Sequence, residues 1–279
     1  MADGKALQAG TSHYLGTNFA KAQNISFQNA SGEVELAHTT SWGVSTRMIG
    51  GVIMVHGDDD GLRVPPAIAP WQVVIVPMLR DTAEDEALVS YCKGLQADLA
   101  RQTALGEAVR ALIDLKPAKA AAKRWGWLKK GAPLVVEVGP RDMAGGNVSV
   151  IRRDRLYRQD GKLDSAVLGR DTFVAEVGAT LEDIQRALHD HSTASLRANI
   201  KPIGDWAGVE QHFADTNPGW VDVAWSKPTG PALDAVVERL KALKLTIRNA
   251  PTGQSGHPGA PCIFTGEPAV ERVLLGRSY

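Results

Sequence analysis

Two groups of side chains in this 279-residue sequence have types and spacing that could do chemistry. The first is Gln8, Thr11 and His13 together with Ser45 and Arg47, on two short polar stretches flanking a strand-like segment and turn that would return the second stretch beside the first. They offer neutral hydrogen-bond donors, a hydroxyl-lined floor and one fixed cation, a set suited to a nucleoside triphosphate. A polar loop capping a buried helix, with Arg47 in solvent, accounts for the same residues equally well. Arg47 falls in the first turn of a helix, where a cation costs about 0.3 to 1 kcal/mol, and that misplacement favours a functional reason for it. Trp42 and Gly43 put a flat aromatic wall beside a position with no side chain, although the residues alone favour a core tryptophan before a tight turn.

The second group is electrostatic. Lys116, Lys119, Lys123, Arg124, Lys129 and Lys130 run without an acid and are interleaved with Trp125 and Trp127, a pattern suited to phosphate contacts and stacking on unpaired bases. A solvated helix face explains the lysines as well. A second cluster is Arg152, Arg153, Arg155 and Arg158. His56, His189, His191, His212 and His257 show no metal-ligand spacing, and Asp58 to Asp60 before a glycine read as a helix-ending turn.

The elements that must position these residues follow from periodicity. Residues 8 to 16 read as a loop, 25 to 32 as a strand and turn, and 48 to 56 as a helix apolar nearly all round, hence buried. Prolines 65, 66 and 70 predict an extended, rigid segment. Residues 72 to 77 are β-branched without alternation, the mark of a strand covered on both faces. Thr82 and Asp85 form a capping box for a helix with Leu88, Cys92, Leu95 and Leu99 on its inner face. Strand 108–112, helix 118–130 and strands 134–138 and 147–152 complete a mixed sheet with helices packed on it. A helix from 181 to 199 capped by Thr180, strand 220–225, helix 231–243, and strands 245–248 and 273–275 follow.

Composition sets the bounds. Lysine plus arginine equals aspartate plus glutamate at 31 each, so the formal charge is zero and a general polyanion-binding coat is excluded. Two cysteines, Cys92 and Cys262, make neither a disulfide framework nor a four-cysteine zinc site, which points to a reducing cytoplasm. No apolar run approaches the ~18 to 20 residues that span a bilayer, so no membrane association is expected.

Taken with their spacing, Gln8-Ala-Gly-Thr-Ser-His-Tyr-Leu-Gly16, Ser41-Trp-Gly-Val-Ser-Thr-Arg47, His56-Gly-Asp-Asp-Asp-Gly-Leu62 and Pro65-Pro66 resemble prolyl-tRNA synthetase, a class II aminoacyl-tRNA synthetase, of the archaeal and eukaryotic-like type. Gln72 to Pro77, Gly131-Ala-Pro133, Glu137-Val-Gly-Pro-Arg-Asp142 and Arg152-Arg-Asp154 resemble that family's anticodon-binding domain, and Trp220 to Tyr279 its extra C-terminal domain. The resemblance implies a multidomain α/β and α+β chain. Residues 1–70 would end a class II antiparallel-sheet catalytic domain with motif 3, 71–175 would form a mixed-sheet anticodon-binding α/β domain, and 176–279 a small α+β domain. It implies ATP binding by Gln8, Thr11, Ser45 and Arg47, with Arg47 as the catalytic arginine of motif 3, and proline binding by His13, Trp42 and Gly43. ATP as substrate, Mg2+, L-proline, tRNA(Pro) and homodimerisation of the full-length enzyme come with it. Glu137, Arg141 and Arg153 are candidate readers of the anticodon guanines, since carboxylates and arginines pair with guanine edges, and an ion-pair network at the sheet edge accounts for the same residues. Zinc, held by four cysteines in some members, is not expected here, because Ser226 and Thr265 stand where cysteines would be and Cys262 alone remains. Motifs 1 and 2 precede the matched region in the family, so a truncated chain or an internal start at Met1 is expected.

Overall fold

The structure is a computed structural model that describes residues 4, 7–214, 219–254 and 258–277; Met1 and His257 lie outside the described residues. The chain divides into two compact units, Val55–Ser195 and a unit of Met1–Met54 with Leu196–Tyr279. In the second of these, the N-terminal part begins with strand β1 (Gly10–Gly16), which pairs antiparallel with β4 (Thr39–Val44). Between them lie helix α1 (Asn18–Gln23) and the hairpin of β2 (Ser26–Gln28) and β3 (Val34–Leu36). The expected loop at 8–16 is therefore mostly a strand. Its small polar residues carry no apolar alternation, and only backbone pairing to β4 reveals it.

Helix α2 (Arg47–His56) forms where the periodicity predicts, but none of its residues is buried. Ile49 and Ile53 are 64% and 51% exposed, so the expectation of a buried helix is corrected. An apolar circumference needs cover on all sides, and a two-stranded sheet has too little face to supply it.

The Val55–Ser195 unit opens with a tight hairpin of β5 (Gly57–Asp58) and β6 (Gly61–Leu62). The proline-bearing segment after it turns rather than staying extended: Ile68 and Ala69 donate their backbone N–H to Pro65 O at 3.0 and 3.1 Å. Then come β7 (Val73–Pro77), α3 (Asp85–Leu99), the small hairpin of β8 (Thr103–Ala104) and β9 (Glu107–Ala108), and β10 (Ala111–Ile113). Helix α4 (Ala120–Lys130), β11 (Leu134–Val138), α5 (Pro140–Ala144), β12 (Asn147–Arg152), β13 (Ala166–Gly169) and the long α6 (Arg170–Ala198) follow. The sheet order is β10-β7-β11-β12-β13, with the first three strands parallel and the last two antiparallel.

Every residue of β7 and β11 is buried. Alternate side chains divide between two cores: Val73, Ile75, Leu134 and Val136 pack with Leu88, Leu95 and Leu99 of α3 and Phe173 and Leu181 of α6, while Val74, Val76 and Val135 pack with Leu128 of α4. Two helix starts are corrected. Helix α3 lacks a side-chain cap; the Asp85 carboxylate instead accepts the backbone N–H of Arg80 and Asp81, the latter at 2.9 Å. Helix α6 begins at Arg170, and Thr180 is interior, because the stripe Phe173, Val177, Leu181, Ile184, Leu188 runs unbroken through it.

The C-terminal part holds β14 (Ile200–Pro202), α7 (Trp206–His212), β15 (Trp220–Trp225), α8 (Pro231–Ala242), β16 (Leu245–Asn249) and β17 (Glu271–Arg277). The sheet order is β14-β15-β17-β16, over a core that includes Val221, Val223, Leu240, Cys262, Val273 and Leu275. Helix α7 and strand β14 were not legible, being too short to show a period; Asp205 caps α7 by accepting the Gly208 N–H at 2.7 Å. No helix among the described residues is long and apolar enough to cross a membrane.

Candidate functional site

The β1–β4 register decides which side chains share a face. Thr11 stands opposite Gly43 and His13 opposite Ser41, and in an antiparallel pair opposed residues point to the same side. Gln8 joins them by donating Nε2–H to Thr11 Oγ1 at 2.8 Å. Past the end of β4, Ser45 Oγ accepts the Arg47 backbone N–H at 3.4 Å as α2 begins. A cleft of about 360 Å³ results, lined by Gln8, Thr11, His13, Gly43, Ser45 and Arg47 among others. Six of the seven residues expected to bind ATP or proline therefore meet in one place. Trp42, the seventh, stands opposite Ser12 on the other face of the ribbon and is 76% exposed, so it is not the core tryptophan its residue type favours. Ser41 was missed; its signal is its position two residues before Gly43 on a strand.

Among the described residues, the cleft offers an amide, hydroxyls, an imidazole and a guanidinium, and no carboxylate lines it. Mg2+ prefers carboxylate and phosphate oxygen, so these described residues do not supply a seat for it.

A second site lies at the carboxyl ends of the parallel strands. The chain leaves β7 for β10 by way of α3 and returns past β7 to β11 by way of α4, so the winding reverses at β7, the place where open α/β sheets form a ligand crevice. Glu137, near the end of β11, is buried and held by Arg124, whose Nη1 donates to both carboxylate oxygens at 3.0 and 3.1 Å. The Arg124 Nε is buried with no hydrogen-bond partner among the described residues. Arg141 is exposed on α5, whose Asp142 carboxylate accepts the Gly139 N–H at 2.8 Å.

Arg153 is placed elsewhere. It follows β12, which runs antiparallel to β11, so it sits at the amino end of β11, where its N–H donates to Pro133 O at 3.0 Å. Only 2% exposed, it donates Nε–H to Leu128 O at 2.9 Å, and both terminal nitrogens grip the carboxylate of Asp58. Burial alone would raise the Asp58 pKa, but the Arg153 hydrogen bond and charge outweigh it and hold the carboxyl below its usual range. Tyr157 donates its hydroxyl to Asp60 at 2.8 Å, so the expected 58–60 turn is a two-point clasp. Glu137 and Arg141 thus lie four residues apart at the carboxyl end of β11, with Glu137 held by Arg124, and Arg153 has an internal ion pair at the other end.

Residues 72–168, which span β7 to most of β13, match the anticodon binding domain family. Over its whole length the chain is 64% identical to the proline–tRNA ligase of Sphingomonas elodea, covering 55% of that protein. It is 60% identical to that of Sphingopyxis alaskensis, covering 53%, and 43% identical to that of Bdellovibrio bacteriovorus, covering 54%. The chain matches part of a proline–tRNA ligase from end to end. It spans about half the length of the curated relatives it matches.

Set against an anticodon-binding fold, the basic stripe divides in two. Lys123 is buried and donates Nζ–H to Asp114 O at 3.0 Å, and Arg124 is spent on Glu137. Lys116, Lys119, Lys129 and Lys130 remain exposed. Trp125 and Trp127 are half-buried against the α4-side core, and Trp127 Nε1–H donates to Asp114 Oδ2 at 2.7 Å, which helps hold that carboxyl below its usual pKa against the opposing effect of burial. Composition could not separate the cations that fasten α4 from those that face water.

In the C-terminal part, Ser226 Oγ lies 3.1 Å from Thr265 Oγ1. Burial alone would raise the pKa of the Cys262 thiol, but the polar groups of Ser226 and Thr265 and the Phe264 and Thr265 backbone around it outweigh that and lower it. The residues standing where the resemblance expects zinc ligands thus form a small hydrogen-bonded cluster.

Proposed function

We propose that this chain serves in a proline–tRNA ligase, carrying the part of the catalytic cleft that grips ATP and proline together with the domain that reads the tRNA(Pro) anticodon. The observation that carries this reading is the convergence of Gln8, Thr11, His13, Gly43, Ser45 and Arg47 on one cleft in a chain 64% identical to such an enzyme. Domains at 1–70, 71–175 and 176–279, a homodimeric full-length enzyme and a cytoplasmic location belong to the same proposal.

In the cleft the Arg47 guanidinium offsets negative charge on the triphosphate, while Gln8, Thr11 and Ser45 orient the nucleotide through hydrogen bonds. His13 and Gly43 bound the space for proline. The proline carboxylate oxygen attacks the α-phosphorus, the bond from that phosphorus to the bridging oxygen breaks, and pyrophosphate departs with the electron pair. A terminal adenosine hydroxyl of the tRNA then attacks the prolyl carbonyl and AMP leaves. The chemistry is positioning and electrostatics, which these side-chain types suit.

At the other site, the Glu137 carboxylate paired with Arg124 and the exposed guanidinium of Arg141 four residues on are the side-chain types that match the edges of unpaired guanine. The C-terminal sheet is held without zinc, because one thiolate and two hydroxyls make a poor structural site; metal analysis finding a full equivalent of zinc in the purified protein would contradict this.

A second reading, a tRNA-binding module without aminoacylation, draws on the exposure of Trp42 and of α2. Proline-dependent exchange of pyrophosphate into ATP by the chain decides between them. Exchange supports the ligase; salt-sensitive tRNA binding with no exchange supports the module.

A further inference from the structure

A cavity of about 260 Å³ opens at the end of the sheet opposite Glu137, lined by Val64, Pro70, Trp71, Trp127, Lys130 and Gly131 among others. It lies at the C-terminus of α4, just before β11, and Glu137 is near the far end of that strand, about 10 to 13 Å along it at ~3.3 Å per residue. We propose that this cavity is a second nucleotide-recognition pocket, which takes one unstacked nucleobase on its tryptophan walls with a phosphate at Lys130. Its assignment to tRNA rests on the function proposed above; its assignment to nucleotide chemistry does not.

Three features support it. The walls are rigid. Gly131, at φ 84°, ends α4 so close to the 62–64 segment that a Cβ there would stand 2.6 Å from Leu62 O, and Gly61, at φ 119°, would place one 2.5 Å from Lys129 O. The Val64 N–H donates to Gly131 O at 3.1 Å and closes the same contact. The aromatic floor is fixed as well, because the Trp127 bond to Asp114 prevents the indole from swinging out.

The floor is also unsatisfied. Trp71 is 41% exposed at an apolar cavity, a placement that an aromatic partner would relieve. Among the described residues the charge at the mouth is of one sign: Lys130 Nζ sits 4.7 Å from the Trp127 ring centroid, Lys129 is exposed beside it, and no carboxylate lines the cavity. The α4 C-terminus opposes an anion there, and the two lysines must outweigh it. The exposed indole of Trp71 beside a Trp127 ring that already carries the Lys130 ammonium is a composition that stacks on bases and holds their backbone without sequence preference. The size suits a single ring system, being at or below the smallest ligand pockets of about 300 Å³.

The test is a titration of the chain with AMP, adenosine and tRNA(Pro), followed by the indole N–H signals of Trp71 and Trp127 and repeated on Trp71→Leu and Lys130→Glu, with thermal melts verifying their folding. For a free-nucleotide source, AMP shifts both signals, adenosine binds more weakly, and each variant weakens AMP about fivefold or more. For a tRNA source, AMP is silent and each variant weakens tRNA by a similar factor. If both signals stay still with every probe, or if neither variant weakens any of them, the proposal is overturned. Equal binding of AMP and adenosine with no effect of Lys130→Glu also overturns it, since no phosphate is then held at Lys130. Intact tRNA binding with no probe weakened by either variant sinks the pocket and spares the function; variant-sensitive AMP binding with no tRNA binding does the reverse.

Discussion

The five-stranded sheet of the Val55–Ser195 unit and the two-stranded ribbon of β1 and β4 show what cover does for a strand. All five residues of β7 and of β11 are buried, with helices against both faces. On β4 five of six residues are exposed, and on the neighbouring α2 none is buried. The first region derives its order from apolar burial; the second is ordered by backbone pairing and local hydrogen bonds. Apolar cover is therefore dense in one region of the chain and sparse in the other.

The most forceful way to break that contrast is to truncate an apolar residue in each region. Leu134→Ala in β11 should cost about 2 to 5 kcal/mol in urea unfolding, whereas Ile53→Ala on α2 should change stability by less than about 0.5 kcal/mol. Equal losses would mean the ribbon region is as tightly covered as the sheet.

Next in size is the Asp58 clasp. Asp58→Ala strands the buried Arg153 guanidinium and should cost about 3 kcal/mol by chemical denaturation. Its pH dependence has a definite sign. Because the folded-state pKa of Asp58 is depressed, the stabilisation is present above the unfolded value near pH 4 and is lost as pH falls through the folded value. The stability gap between wild type and Asp58→Asn should thus be level near neutrality and narrow in acid; a gap that widens in acid would refute the assignment.

A smaller effect sharpens the chemical side. Arg47→Ala should lower proline-dependent pyrophosphate exchange about a hundredfold, in line with the loss of one preorganised charge contact, and leave the melting temperature nearly unchanged. A large drop in melting temperature would make Arg47 a structural residue.

Legibility followed the same division. Val73–Pro77 and Leu134–Val138 were readable because β-branched runs bounded by turn residues have few other uses, and the α3 stripe of Leu88, Cys92, Leu95 and Leu99 is buried as its spacing requires. The ribbon strand at Gly10–Gly16 was not, since its pairing with β4 is a long-range backbone fact that leaves no side-chain period. Burial of α2 was misjudged because periodicity reports which face is apolar and says nothing of whether anything covers it. Most of the cleft residues were named from their types and the resemblance, and the structure gathers all but Trp42. Arg153 could not be placed correctly, because a buried arginine and a solvent-facing one have the same letter, and its partner Asp58 lies 95 positions away.

Anticodon reading by the Val55–Ser195 unit is the part of the account on which the proposed function most depends. It is tested most directly by measuring the affinity of this chain, at one fixed salt concentration, for tRNA(Pro) and for the same tRNA with its anticodon guanines replaced, in wild type and in Glu137→Gln. The account predicts that the guanine replacement costs the wild type about 1 to 3 kcal/mol per base and that Glu137→Gln loses most of this preference while general binding persists. Equal affinity of the wild type for both tRNAs would contradict it.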